Sequence, residues 1–296
     1  MCVFLFAVLC FPSLAALDNQ LLKRLDLQRG SFTNTYQSFD IDGESVIYVL
    51  QENSSAFTRG LAVLVSDNGS PLLGQKGFSA LADELNKIGW VTILLSAPDT
   101  DFMLTIDQDI PTADDSKTAF ETKNLSEVTI PSPNTTIENL DISQSSVNTI
   151  DKLAFIKHEQ QLVAFLQAAI KKSQDYPGFF LVISKGTSAA WLSKIYAENT
   201  LDAPDAFVAI GPYWPDRTHN QRLPQWMANT SMPVLDLHNV WDNRWARQTI
   251  SQREIAAVKA LKLQYRQREL LGFNIHPQHN AYISKEIYGW ISQMGW

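Results

Sequence analysis

Ser184-Lys185-Gly186-Thr187-Ser188 is the stretch of this 296-residue chain whose residue types and spacing can do chemistry. It follows Phe179 to Ile183, an unbroken apolar run bounded by Pro177-Gly178, which is the pattern of a strand buried on both faces. After it, Trp191, Leu192, Ile195 and Tyr196 fall at helical spacing. Strand, tight turn of small residues and helix together lay out a nucleophile elbow, with small residues two positions either side of the attacking group. In that frame the nucleophile position is Gly186, which has no side chain. The turn demands positive φ there, which costs a non-glycine residue roughly 1–3 kcal/mol and glycine almost nothing. The sequence therefore reads as an elbow that kept its shape and dropped its chemistry. A second frame, Gly186 to Ala190, makes Ser188 the nucleophile and requires the strand to continue through Lys185. Ser184 and Ser188 serve otherwise as small spacers, and a glycine-bearing turn of this kind fits any α/β protein. On the first frame, Gly186→Ser is expected to place a hydroxyl over the site at modest stability cost.

The elements that must position such a turn alternate along the chain. Thr35 to Ile41 and Ser45 to Gln51, split by Asp42-Gly43, read as a hairpin. Leu61 to Val65, Trp90 to Leu95, Ala206 to Ile210 and Pro233 to His238 read as further strands, and Leu263 to Leu271 as an edge strand. Between them, Phe78 to Ile88, Leu153 to Lys172, Gln221 to Asn229, Ala246 to Leu261 and Ala281 to Met294 read as helices, with a surface helix at Leu17 to Arg29. In the Leu153 to Lys172 helix, Ile156, Val163, Leu166 and Ile170 make the expected core face, with His158 toward solvent. The alternation implies an α/β fold, one doubly wound, mainly parallel sheet with helices on both faces. Residues 99–149 break the pattern: rich in Asp, Asn, Ser and Thr and carrying three prolines, they read as an irregular or disordered insertion beside the site, or a lid.

Met1 to Ala15 reads as a signal peptide. Val3 to Phe11 is apolar but too short to span a bilayer, and Ser13 and Ala15 supply a cleavage site before Ala16. An uncleaved anchor is the alternative. Both cysteines, Cys2 and Cys10, lie in this segment, so the mature chain, one domain over 16–296, has no thiol, disulfide or Cys-bound metal. The expected location is the periplasm, with no membrane span after cleavage. A net charge of −7 argues against nucleic acid as partner. No cofactor or metal is expected: the five histidines are scattered, and His276-x-x-His279 is too close for the i, i+4 pair that faces one ion.

Val63-Leu-Val-Ser-Asp-Asn-Gly69, Leu85-Asn-Lys-Ile-Gly-Trp90, the turn from Ser184 to Trp191 and Pro233-Val-Leu-Asp-Leu-His238 together resemble an uncharacterised proteobacterial family of exported α/β-hydrolase-like proteins. The resemblance covers most of the mature chain. Hydrolases of this fold order their triad nucleophile, acid, histidine. Asp242 stands where the resemblance implies the acid, and His276 and His279 where it implies the catalytic histidine. Asp242 and Asn243 serve otherwise as loop or cap residues, and His279 as a capping neighbour. The loop Ser66 to Ser70 stands where such a fold places one oxyanion amide; Asp67 and Asn68 in it are turn residues or pocket residues. Tyr213, Trp214 and Trp241 sit near the C-terminal ends of strands, where doubly wound sheets bind ligands, and can floor a pocket for a small molecule, lipid or peptide or pack under the insertion.

The expectation is an exported hydrolase-like protein that binds without hydrolysing, a pseudoenzyme. The rival is a serine ester or amide hydrolase using Ser188 or Ser184 with Asp242 and His279. A third class is a purely structural envelope protein.

Overall fold

The computed structural model describes residues 36–41, 43–70, 78–98, 152–272 and 278–296. The leader expected over 1–15, the helix expected over 17–29, the insertion expected at 99–149 and His276 lie outside the described residues. Eight strands form one sheet in the order β1-β2-β4-β3-β5-β6-β7-β8. They are β1 (Tyr36–Ile41), β2 (Glu44–Gln51), β3 (Gly60–Val65), β4 (Trp90–Leu95), β5 (Phe179–Lys185), β6 (Ala206–Ile210), β7 (Val234–His238) and β8 (Tyr265–Glu269). The hairpin β1–β2 adds antiparallel to β4, and every pairing from β4 to β8 is parallel. The helices are α1 (Ser79–Lys87), α2 (Lys152–Ser173), α3 (Gly186–Ala197), α4 (Arg217–Asn229), α5 (Arg244–Lys259) and α6 (Gln278–Gln293).

The continuous apolar runs exist because both faces of the sheet are covered. Along β3, Leu61, Val63 and Val65 point into one core with Phe155, Leu162, Trp191 and Leu223 from α2, α3 and α4. Ala62 and Leu64 point into the other core, with Leu81 and Leu85 of α1 and Ile283, Ile287 and Trp290 of α6. Each such aliphatic side chain contributes about 1.5–3 kcal/mol on full burial, so the central strands are clamped from both sides.

Helix α2 is phased differently from its expected face. Ile156 is 42% exposed while His158 is 2% exposed, its ring 4.9 Å from that of Trp191. Apolar residues occupy more than one side of this helix. Docking against β1, β3 and α3 selects the stripe Phe155, Leu162, Leu166, Ala169 and turns Leu153 and Ile156 outward. Helix α4 begins four residues before its expected start because Asp216 caps it, Oδ2 accepting from the His219 amide at 2.8 Å.

Because β3 to β8 run parallel, their C-terminal ends share one edge of the sheet. The turns after β3, β5, β6 and β7 and the first turn of α6 converge there, and this edge is where ligands of doubly wound sheets sit.

Candidate functional site

Gly186 is the first residue of α3, directly after β5, with φ +59°. Strand β5 does run through Lys185, as the Ser188 frame requires. The left-handed residue is nevertheless Gly186, so the apex of the turn falls there. Ser188 lies inside the first turn of the helix, fully buried, its hydroxyl donating to the Ser66 carbonyl at 2.7 Å. Ser184 is equally buried and donates to the Val65 carbonyl at 3.3 Å. Both hydroxyls tie the elbow to the end of β3, and neither stands at the apex.

The space over Gly186 holds the carboxylate of Asp67. A Cβ built on Gly186 would lie 2.5 Å from Asp67 Oδ1, and nearer still to Oδ2 and Cγ. Oδ1 accepts three hydrogen bonds: from the Thr187 amide at 2.8 Å, the Thr187 hydroxyl at 2.7 Å and the Asn68 amide at 2.9 Å. The N-terminus of α3 has no cap of its own, since Lys185 makes no side-chain capping bond. Asp67 caps it from 120 residues earlier in the chain, and the helix dipole favours the negative charge. In a working elbow, the amide after the nucleophile belongs to the oxyanion hole. Here that amide, Thr187 N–H, is spent on an internal carboxylate.

Asp242 mirrors this arrangement one strand over. It lies against Gly211, φ +53° at the end of β6, where an added Cβ would come within 3.1 Å of its Oδ2. That oxygen accepts from the Asn239 amide at 2.7 Å. Among the described residues no hydrogen bond or ion pair joins Asp242 to His279. His279 is 8% exposed, and its Nδ1 has no hydrogen-bond partner among the described residues. The acid and the histidine are therefore both at the edge, but the carboxylate does not orient the imidazole as a Ser-His-Asp site requires.

Burial raises the pKa of Asp67, against the opposing pull of the Thr187 and Asn68 bonds and the Lys185 charge. Burial likewise raises Asp242, opposed by the Asn239 amide and by Lys185. Burial, with a smaller push from Lys185, lowers His279. The Tyr213 phenol is raised by burial and then by the Asp67 charge, and it faces both Asp67 and Asn243. The Lys185 charge thus acts on Asp67, Asp242 and His279 alike. Lys185 was not foreseen as a site residue, although it sits inside the elbow stretch; the same holds for Thr187.

The aromatic residues divide. Tyr213 joins the site, and Asn68 supplies an amide to it. Trp214, expected on a pocket floor, is fully buried instead, packed among Phe155, Trp191 and Trp226 beneath the edge. Trp241 is 61% exposed on the loop beside Asp242. Among the described residues no group of three or more His, Cys, Asp and Glu side chains is placed to hold a metal ion, and no helix is long and apolar enough to cross a membrane.

A family model described as a protein of unknown function, DUF3530, matches residues 12–293. The chain belongs to the DUF3530 family. No curated protein matches the sequence. Among solved structures, this DUF3530 chain is similar to Est1E from Butyrivibrio proteoclasticus, with a TM-score of 0.54, 11% identity, and 88% of this chain and 98% of that one covered. It is similar as well to the esterase domain of a Rhodothermus marinus protein, with a TM-score of 0.51, 11% identity, and 86% and 96% covered. At such identities the likeness establishes the α/β-hydrolase fold, and the chemistry must be argued from the site.

Proposed function

We propose that this DUF3530 protein is a non-hydrolytic member of the α/β-hydrolase fold that acts by binding a small molecule, lipid or peptide. The observation that carries the reading is Gly186 at the elbow apex with the Asp67 carboxylate lodged over it. The apex residue itself carries no side-chain oxygen, and the Thr187 amide is already bonded to Asp67. Without the nucleophile, only residual oxyanion and binding effects remain for catalysis. The test is incubation of pure protein, residues 16–296, with short-chain nitrophenyl esters and a fluorophosphonate probe. No turnover and no labelled serine are expected. Turnover abolished by Ser188→Ala or His279→Ala would overturn the reading in favour of a serine hydrolase.

The leader at 1–15 and the resemblance to exported proteobacterial proteins support a periplasmic location for one domain spanning 16–296. Expression with the leader in a Gram-negative host, followed by fractionation and intact mass, should give a periplasmic chain beginning at Ala16. A full-length chain in the cytoplasm would count against export.

A further inference from the structure

A cleft of about 660 Å³ opens between the β1–β2 hairpin and the end of α1. It lies at the edge of the sheet away from the elbow: Gln51, the last residue of β2, pairs with Thr92 near the start of β4, whereas the elbow follows the end of β5. Its volume is that of a small-molecule site, but its lining is not the usual apolar one. Leu50 is the one apolar residue among eight; amide, hydroxyl and charged side chains make up the rest.

The charges there do not balance. Lys87 is held by Glu84 at 2.6 Å, and Lys172, the nearby base whose charge responds to Glu52, is held by Asp175 at 2.8 Å. Glu52 accepts one neutral bond, from the Tyr176 hydroxyl at 2.9 Å. Neither Glu52 nor Asp83 has an ion-pair partner among the described residues. The C-terminal end of the nine-residue helix α1 adds partial negative charge. A second observation is independent of these acids. Asn86 is 7% exposed, and its Nδ2 donates to the Gln51 carbonyl at 3.3 Å, the Trp90 carbonyl at 2.8 Å and the Thr92 hydroxyl at 3.2 Å. Those carbonyls fix which end of the carboxamide is nitrogen. Its Oδ1 accepts nothing among the described residues, yet it is not sealed from solvent. Asn86 lines the cleft, so this acceptor is open to it. A firmly held side chain thus offers an empty acceptor in the wall that carries two unpaired carboxylates. Acceptors and negative charge together call for a cation with N–H donors.

We propose that this cleft binds a small aliphatic diamine. Its two ammonium groups answer the Glu52 and Asp83 carboxylates, and Asn86 Oδ1 accepts an N–H. The inference is separate from the non-hydrolytic reading, and ester turnover does not bear on it.

The test is isothermal titration calorimetry of the purified protein with 1,6-diaminohexane at neutral pH and low ionic strength. Hexamethonium, with the same chain and charge but no N–H, is the control ligand. One saturable site is expected for the diamine and none for hexamethonium. Glu52→Gln/Asp83→Asn should weaken diamine binding about ten-fold. Both residues are exposed, so this variant should fold, and its urea midpoint checks that. Asp40→Asn/Glu44→Gln removes the same charge from exposed positions at the turn end of the hairpin. That variant should keep the native affinity within about two-fold. Absence of a saturable diamine site in the native protein sinks the proposal, as does undiminished binding by Glu52→Gln/Asp83→Asn. Equal binding of hexamethonium would show that charge alone is read, and equal losses in the two double variants would trace binding to the net charge of the chain; either result overturns the site.

Discussion

Restoring a serine to the elbow is the perturbation that tests the site most directly. From sequence, Gly186→Ser carries only a backbone penalty. The structure adds a steric one. At φ +59° any side chain costs about 1–2 kcal/mol. The new Cβ would also fall 2.5 Å from Asp67 Oδ1 and closer to its neighbours, so the carboxylate must leave its seat. Asp67 then loses three donors, and Thr187 is left with an unmatched amide and hydroxyl; that loss costs about 2–4 kcal/mol. The sum, about 3–6 kcal/mol, is a large part of an ordinary domain's stability of about 5–15 kcal/mol. Urea unfolding should show it as a lower midpoint at unchanged slope. Gly186→Ala should be destabilised equally, because the clash lies at Cβ and not at the hydroxyl. Combining Gly186→Ser with Asp67→Gly should be less damaging than the two single losses added, with a coupling of about 2 kcal/mol. The single variant should also fail to turn over nitrophenyl acetate, since Asp242 does not hold His279 in place. If Gly186→Ser unfolds within about 1 kcal/mol of the native protein, or hydrolyses the ester, then Asp67 does not fill the apex and the account of the site is wrong.

Asp236 and Arg253 form an ion pair with both side chains fully buried, Nε to Oδ2 at 2.7 Å, with Tyr265 and Gln267 donating to the same carboxylate oxygen. Arg253→Met alone should cost about 3–5 kcal/mol by urea unfolding, and Asp236→Leu/Arg253→Met should recover most of it; equal losses in the single and double variants would show the pair to be dispensable. Burial lowers His158 from its ordinary 6.5 to about 4, so its neutral ring stabilises the fold above pH 6.5 and that contribution is lost as pH falls toward 4. Over that range the native protein should lose up to about 3 kcal/mol relative to His158→Phe, and parallel midpoint curves for the two would refute it. Ser188→Ala should cost about 1 kcal/mol through its bond to the Ser66 carbonyl, and reduction of any measurable esterase activity would show the serine to be chemical.

The order of strands and helices, the hairpin and the register of the elbow were determined by the sequence alone, because each is a local property. A continuous apolar run marks a strand covered on both faces, and only glycine sits without strain at a left-handed apex. What those signals lack is phase and partner. On α2, apolar residues on more than one side left the core face open until docking chose Phe155 and His158 over Ile156. The packing of Trp214 inward, the pairing of Asp236 with Arg253 and the seating of Asp67 on Gly186 join residues whose sequence neighbours carry no trace of the contact. Those were decided only in three dimensions, where parallel strands bring separate turns to one edge and burial forces the Asp67 and Asp242 carboxylates there to find donors.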